Sequence, residues 1–418
     1  MNSYKSALTK LKKNKLLIKN EKIILKHALN RISAKDVFSP VNYPASNNTA
    51  FDGFAVNSKE TKLLSDKKSK KFKIIKILAA GDNPNIKKKI PKFSAVEVMT
   101  GAIIKKPFDT IIPIEKIKFF PSKLKPKYII LQKKLKKNQF IRPAGSDFKK
   151  RSIVINKGEF INPSHILAFK TLGIDNILVK KKPNIVFYPT GNELSNLKKI
   201  PSWKIRNSNS IYLDSFIKNL PINFKEKKIL RDGDLSFFKK EIKKNIKLNS
   251  DIVITSGAVS AGKFDFIPSI VNQFKLKSFF KGVSIRPGKP LMFAKFKNNM
   301  CFFGLPGNPI STVACFRFFV LPFLFKSLEL TPEKPIIAKI KNNFSKKRNF
   351  TRFIKGKLTF SNRGFVEFEV FRGQESYKIN PFIRSNAWGV FKEGKSDFKK
   401  GSYIECYSSS GFNEFLIN

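Results

Sequence analysis

Cys301-Phe302-Phe303-Gly304-Leu305-Pro306-Gly307-Asn308-Pro309-Ile310-Ser311 is the stretch from which the rest of the chain can be read. An apolar run of strand type, Cys301 to Phe303, gives way to the turn Gly304-Leu305-Pro306-Gly307. A helix is expected from Pro309, whose fixed φ suits the first helical position, with Asn308 as its cap. Two steps of the same kind lie upstream. Asn184 to Tyr188 is an apolar run followed by Pro189-Thr190-Gly191-Asn192-Glu193, and Ile211, Leu213, Phe216, Ile217 and Leu220 then fall largely on one helical face. Leu235, Phe238, Ile242 and Ile246, behind a cap at Asp234, form another amphipathic helix before the strand Asp251 to Ile254 and the loop Thr255 to Gly262. Strand, loop and helix repeated at this length predict a doubly wound, mostly parallel sheet with helices on both faces. Ligands bind beyond the carboxyl ends of such strands, so the loops after Tyr188, Ile254 and Phe303 should converge on one crevice.

The flanks read differently. The first forty residues read as helices, with Ile24, Ala28 and Ile32 at spacing 4, and break at Pro40 and Pro44. From Phe51 to about Gln139 β-type runs dominate: Phe72 to Leu78, Val96 to Met99, Thr110 to Ile114 and Tyr128 to Leu131. Helical periodicity returns at Pro163 to Leu172 and stops at Gly173. After Pro332 the runs Ile336 to Ile340, Phe365 to Phe371, Gly389 to Lys392 and Tyr403 to Tyr407 predict a closing β-domain. A length of 418 residues exceeds what one core usually supports, so two to four domains are expected.

The charge is extreme: 83 Lys+Arg against 29 Asp+Glu, a formal +54. That would ordinarily point to a polyanionic partner. The lysines, however, run along the whole chain together with an excess of Ile, Phe and Asn, as a drift of the genome toward A and T would produce. No RNA-recognition motif accompanies them, and nucleic acid is not expected as a partner. Three cysteines at no ligand spacing and two histidines argue against a disulfide frame, a zinc cluster and a Ser/His/Asp hydrolase. Any metal should be hard and oxygen-bound. Met1 to Leu17 mixes lysine with apolar residues and offers no uninterrupted apolar run, and the greasiest stretch, Phe316 to Phe325, is broken by Arg317 and Pro322, so no export signal or membrane span is expected and a cytoplasmic location is.

The converging loops offer hydroxyls and close-approach backbone, which suit phosphate oxygens. Arg286-Pro287-Gly288-Lys289-Pro290 adds two cations around a turn. Carboxylates are scarce, which makes Glu193, Asp232 and Asp265, each in or beside a strand-end loop, candidates to hold Mg2+ against phosphate.

Taken in order, the motifs resemble a known family. Asn48-Thr49-Ala50-Phe51-Asp52-Gly53-Phe54-Ala55-Val56 is similar to the S-A-M-D-G-Y-A-V signature of the molybdopterin molybdenumtransferases, the MoeA and gephyrin E-domain family. Met99-Thr100-Gly101-Ala102 resembles its M-T-G-A, Asp109 to Glu115 its D-x-V-x-x-x-E, and Arg142 to Asp147 its R-x-x-G-x-D. Pro189 to Leu194 resembles S-T-G-D-E-L, Asn209-Ser210 its N-S, and Ser256 to Gly262 its S-G-G-V-S-x-G. Pro287 to Pro290 and Gly304 to Pro309 resemble P-G-K-P and G-L-P-G-N-P. Beyond Pro332 only Arg348 and Arg352 stand out, similar to R-x-x-x-R.

The resemblance implies a four-domain homodimer. Its parts would be a discontinuous helical domain (1–43 and 142–180), an inserted β-domain (44–141), an α/β domain similar to the molybdopterin adenylyltransferase fold (181–327) and a C-terminal β-barrel (328–418). It implies that adenylylated molybdopterin and molybdate are the substrates and that AMP is released in a Mg2+-dependent step. By position, Thr190, Gly191, Asn209, Ser256, Gly257, Ser260, Gly262, Arg286, Lys289, Pro306, Gly307, Asn308 and Arg348 would bind substrate. Asp52, Thr100, Asp147, Glu193, Asp232 and Asp265 would be catalytic, with Glu193 and Asp265 at the metal and the first three completing the site across the dimer. Molybdopterin adenylyltransferase and molybdoenzyme-specific chaperones are the partners it suggests. Asn192 and Ala258 depart from the family's Asp and Gly, which leaves an inactive dimeric scaffold as the alternative.

Overall fold

The computed structural model describes all residues except 87–88, 232, 258–266 and 410–418, and only the backbone of 267–269. It divides into two compact units, residues 36–156 with 163–176, and the remainder of the chain.

The chain opens with α1 (Tyr4–Lys13), whose first turn is capped by Ser3, the hydroxyl accepting from the Ser6 amide at 3.1 Å. The expected helix through Ile24, Ala28 and Ile32 does not form. Asn20–Ile24 is extended and Leu25–His27 makes a single 3-10 turn. Main-chain pairing overrides the spacing: Lys181 N donates to Lys19 O and Lys180 N to Ile32 O, both at 2.9 Å, while Ile24 stays exposed.

The smaller unit is built on a six-stranded sheet of β1 (Gly53–Val56), β2 (Lys70–Leu78), β3 (Ser94–Val98), β4 (Thr110–Pro113), β5 (Lys118–Phe120) and β6 (Tyr128–Leu131), in the order β4-β1-β3-β2-β6-β5. Both faces of its centre are covered. Ala55 joins one apolar cluster with Val96, Val98 and Ile111, and its neighbours Phe54 and Val56 join another with Phe72 and Ile129, as a side-chain period of two requires. The unit's helix, α2 (Pro163–Thr171), ends at Gly173, which takes φ +75°.

The larger unit contains the predicted wound sheet. Its strands are β7 (Asn184–Pro189), β8 (Asn223–Glu226), β9 (Ile252–Ser256), β10 (Lys277–Lys281), β11 (Met292–Lys295) and β12 (Cys301–Leu305), ordered β8-β7-β9-β12-β11-β10. The first four are parallel, with Ile185 opposite Ile252 and Ile252 opposite Cys301; β11 and β10 add an antiparallel edge. Alternate residues face opposite helical layers. Phe187, Ile254 and Phe303 meet α3 (Ser208–Ile217) through Leu213 and Ile217, and Tyr188, Val253 and Phe302 meet α4 (Leu235–Lys247) through Phe238 and Ile242. Asp234 stands at the start of α4 but does not cap it with its side chain; its carboxylate accepts from the Arg231 amide at 2.9 Å instead.

From Pro309 a continuous helical rod runs to Ser327: Pro309–Cys315, a π turn at Phe316–Val320, then Leu321–Ser327. Its length and apolar composition would suffice to cross a bilayer, yet 89% of its most apolar window is buried within the fold, as a core helix should be. Arg317, 2% exposed, sits inside it because its guanidinium meets the Glu333 carboxylate at 2.6 Å and the Ser408 carbonyl at 3.1 Å.

Those contacts tie the rod to a closed barrel of β13 (Ile336–Ile340), β14 (Thr351–Phe360), β15 (Val366–Val370), β16 (Ala387–Phe391) and β17 (Tyr403–Ser408), in the order β14-β15-β13-β17-β16 with β14 pairing β16 to close it. β14 serves two neighbours in succession, Arg352 to Gly356 against β16 and Gly356 to Phe360 against β15. At the changeover a Cβ on Gly356 would lie 2.2 Å from the Glu369 carbonyl, so only glycine fits. Phe318 of the rod stacks on Phe353 of β14 at 4.0 Å, and Phe319, Phe353, Trp388 and Val390 share one core with the wound sheet. The wound sheet and the barrel are thus held in one fixed arrangement.

Candidate active site

The loops after β7, β9 and β12 do converge. Thr190 N donates to Ser256 O, and Gly257 N to Leu305 O, both at 2.9 Å, which links the three strand ends in a row. Gly257 takes φ +100°, and a Cβ there would lie 2.5 Å from the Thr190 carbonyl, so this position needs glycine on both counts. Asn209, at the start of α3, reaches across and donates from Nδ2 to the Gly307 carbonyl at 2.9 Å.

The amides are used differently from what loop composition suggests. Those of Thr190, Gly191 and Gly257 are spent joining loops to one another. The Gly307 and Asn308 amides have no hydrogen-bond acceptor among the described residues, and they stand at the positive end of the Pro309 rod. Asn308 lies at the cap position without capping; its Nδ2 donates to Ser376 Oγ at 3.0 Å. Thr312 Oγ1 instead donates to the Pro306 carbonyl at 2.5 Å, which fixes the turn. The Ser256 hydroxyl is 1% exposed and has no partner among the described residues, as has that of Thr255. A buried orphan hydroxyl beside such a turn is a donor waiting for an acceptor.

A cleft of about 1360 Å3 opens from these loops to the barrel. Glu193, Gly257, Pro306, Gly307 and Asn308 border it on one side, with Arg286 and Lys289 from the Pro-Gly turn. The barrel contributes Arg352 and the segment from Arg372 to Tyr377. Arg286 and Arg352 face each other in a short parallel pairing of Ile285–Arg286 with β14. Burial, and then the charge of Arg286, push the Arg352 guanidinium below its ordinary pKa, and its Nε is unpartnered. None of Arg286, Lys289, Arg352 and Arg372 has an ion-pair partner among the described residues. These four cations outnumber the two carboxylates that border the cleft, Glu193 and Glu375, and such an excess of positive charge favours an anion.

The loop carrying Glu193 is shaped by cations behind it. Arg231 donates from one nitrogen to the carbonyls of Gly191, Asn192 and Leu194 at 2.7 to 3.0 Å, and Lys204 donates to Asn192 O. Among the described residues no three His, Cys, Asp or Glu side chains gather as a preformed metal cage. Mg2+ characteristically uses one or two carboxylates together with substrate phosphate oxygens, and Glu193 at the edge of an anion cleft fits that mode.

Several expected residues lie elsewhere. Arg348 is exposed and donates to the Gly394 carbonyl at 3.0 Å, away from the cleft lining, whereas its neighbour in the motif, Arg352, borders it. Asp52 and Thr100 belong to the smaller unit and bond to each other. The Asp52 carboxylate accepts from the Thr100 amide at 2.6 Å and from its hydroxyl at 2.7 Å, and these two bonds lower its pKa. Asp147 borders a separate groove of about 560 Å3 in that unit with Arg142 and Tyr43. Asp232, Ser260, Gly262, Asp265 and the substituted Ala258 lie outside the described residues. Sequence reading missed Arg372, Ser376 and Tyr377, which follow a strand with no small-residue loop motif to announce them; only Arg352 had left a signal, as the second arginine of R-x-x-x-R. The three cysteines are free and buried, and burial pushes the Cys301 thiol up to about 12.

Comparison with known proteins agrees along the whole chain. Residues 2–173 match the MoeA N-terminal region (domain I and II), 187–326 a probable molybdopterin binding domain, and 338–408 the MoeA C-terminal region (domain IV). A molybdopterin molybdenumtransferase of Staphylococcus aureus is 30% identical over 391 residues, 92% of this chain and 90% of its own. One from Staphylococcus epidermidis is 29% identical over 420 residues, covering 99% and 98%. A molybdopterin biosynthesis MoeA protein from Pyrococcus horikosii, 24% identical, superposes with a TM-score of 0.83 over 98% of this chain and 99% of that one, and shows the same fold.

Proposed function

The chain belongs to the molybdopterin molybdenumtransferase family, transferases of molybdenum cofactor biosynthesis, and we propose on that premise that it inserts molybdenum from molybdate into adenylylated molybdopterin with Mg2+-dependent release of AMP. The observation that carries this reading is the cleft that brings four cations without ion-pair partners and the free Gly307 and Asn308 amides to the Glu193 carboxylate, with the unpartnered Ser256 hydroxyl buried next to Gly257 at its border.

The two substrates are both anions and must lie side by side. In this reading the adenylylated pterin's phosphates take the Ser256, Gly307 and Asn308 donors, and molybdate lies toward Arg286, Lys289 and Arg352, where fixed positive charge offsets the repulsion between reactants. Glu193, with Asp265, would hold Mg2+; bound there, the ion would polarise the phosphoryl oxygens. Asp52, Thr100 and Asp147 complete the site from a second copy of the chain in a homodimer. The Asp52 carboxylate, kept ionised by Thr100, would act there as an acceptor or base.

The test supplies adenylylated molybdopterin, molybdate and Mg2+ to purified protein and follows AMP together with metal-loaded cofactor. AMP that depends on molybdate and on Mg2+ is expected. AMP no faster than in a protein-free control would leave the chain as a scaffold of this fold.

A further inference from the structure

The barrel's contribution to the cleft rests on one buried cation. Lys355, in β14, is 1% exposed, and none of the ion pairs among the described residues involves it. Its ammonium donates to two main-chain carbonyls of the cleft-bordering segment, Glu375 O at 3.1 Å and Lys378 O at 3.0 Å. The same residue's backbone holds the other end of that segment. Lys355 N donates to the Gln374 side-chain oxygen at 2.9 Å, Gln374 Nε2 donates to Lys355 O at 2.8 Å and to Phe371 O at 2.7 Å, and Phe371 N donates to Lys355 O at 3.3 Å. Residues 371–378 are thus clasped at two points to one strand position, and between the clasps lie Arg372, Ser376 and Tyr377, which border the cleft.

A lysine buried against carbonyls is a costly choice if the aim is stability alone, since an apolar side chain would fill the same space without desolvating a charge. Three cations or anions face it: Glu375 and Lys378 from the segment and Arg352 from its own strand. Burial brings its pKa down to about 8, offset in part by Glu375. What the ammonium provides that a methionine cannot is a pair of charge-assisted bonds that fix where the segment's main chain runs. The tip so fixed meets Asn308 through Ser376, on the wall opposite the barrel.

We propose that Lys355 is a positioning residue, which with Gln374 holds the segment 371–378 so that Arg372, Ser376 and Tyr377 form the oxyanion wall of the cleft. The proposal deepens the reading of the site given above and depends on it for the choice of molybdate as probe.

Two measurements separate it from that reading. The first is amide hydrogen exchange without any substrate. K355M and, independently, Q374A should exchange the amides of 371–378 at least about tenfold faster while β13 and β17 stay protected, and K355R should restore protection. The second is molybdate titration, by calorimetry and by AMP release. K355M and Q374A should raise the molybdate Kd and KM at least about fivefold with kcat within twofold of the parent, and K355R should recover most of the difference. Unchanged exchange in 371–378 in both variants would overturn the proposal, as would exchange that rises with Kd and KM unmoved. If the parent releases no AMP, the function is wrong, and the substrate-free exchange comparison alone still decides whether Lys355 and Gln374 position the segment. Q374A keeps the test open should K355M fail to fold.

Discussion

Two small features decide much of the cleft: the hydrogen where a Gly257 side chain would begin and the carboxylate of Glu193. A methyl at Gly257 meets the Thr190 carbonyl at 2.5 Å in a backbone region that side chains avoid. Gly257→Ala should therefore cost about 1–3 kcal/mol and separate the first two loops, which chemical denaturation and the AMP assay would both register. Gly81→Ala is the control, since it shares a positive φ but meets no atom within 4 Å. For Glu193 the isosteric change removes charge and little else. Glu193→Gln should lower kcat for AMP release by about 10²-fold or more, a loss typical of removing one preorganised electrostatic group, with the melting temperature unchanged. Equal product yield from this variant would remove the carboxylate from the chemistry. At this scale the sequence was informative where a residue's type has one physical use. Asn308 shows the limit: its place before Pro309 correctly marked the helix start, yet its side chain is drawn to Ser376, sixty-eight positions away, which no local pattern could announce.

Whole elements were legible to the extent that their burial is symmetrical. β7, β9 and β12 are covered on both faces, so they read as unbroken apolar runs, and their parallel arrangement followed from the helices between them. β14 is the longest strand and went unread. Arg352, Lys355 and Lys357 interrupt it, and the pattern cannot show that Lys355 is buried against carbonyls. The antiparallel strands β10 and β11 were missed for a related reason, because Lys277, Lys281 and Lys295 give their ends the look of a surface loop. In the Pro309 rod the polar exception is again the informative residue. Arg317 and Glu333, 2% and 8% exposed at their side chains, form a buried pair between the rod and the approach to the barrel. Arg317→Met leaves Glu333 charged and alone and should destabilise by about 3–5 kcal/mol. Adding Glu333→Leu should recover most of that loss, since the pair itself contributes little net free energy once both charges are gone. Urea denaturation of the parent, single and double variants gives the coupling; a double variant no more stable than the single would show that the pair does more than compensate itself.

For the whole molecule the dominant quantity is the formal charge of +54, which sequence alone could state but not locate. Where carboxylates occur, several cations compete for them. Glu329 takes a salt bridge from Lys157 and one from Lys180, both at 2.9 Å, with Lys15 at 3.6 Å, and these bonds draw its pKa down from 4.5 to about 2. The contacts join the N-terminal stretch, the strand before the wound sheet and the turn that follows the rod. A carboxylate whose folded pKa is depressed binds fewer protons in the folded state than in the unfolded one above pH 2. Its stabilising contribution is thus complete above the unfolded value near 4.5 and is lost as pH falls from there toward 2. Other cations remain unneutralised at all these values, so acid adds to a self-repulsion already present. Denaturation midpoints for the parent should therefore fall steeply between pH 4.5 and 2, and those of Glu329→Gln should fall less over the same interval and differ least from the parent at its acid end. Raising the salt concentration from about 20 to 500 mM should lift the midpoint of both proteins at neutral pH, because screening relieves the general repulsion. The difference between them should narrow only slightly, since three cations within 4 Å of a partly buried carboxylate are screened less than charges spread over the surface. Parallel acid limbs for the two proteins would assign the acid sensitivity to the general charge and none of it to Glu329.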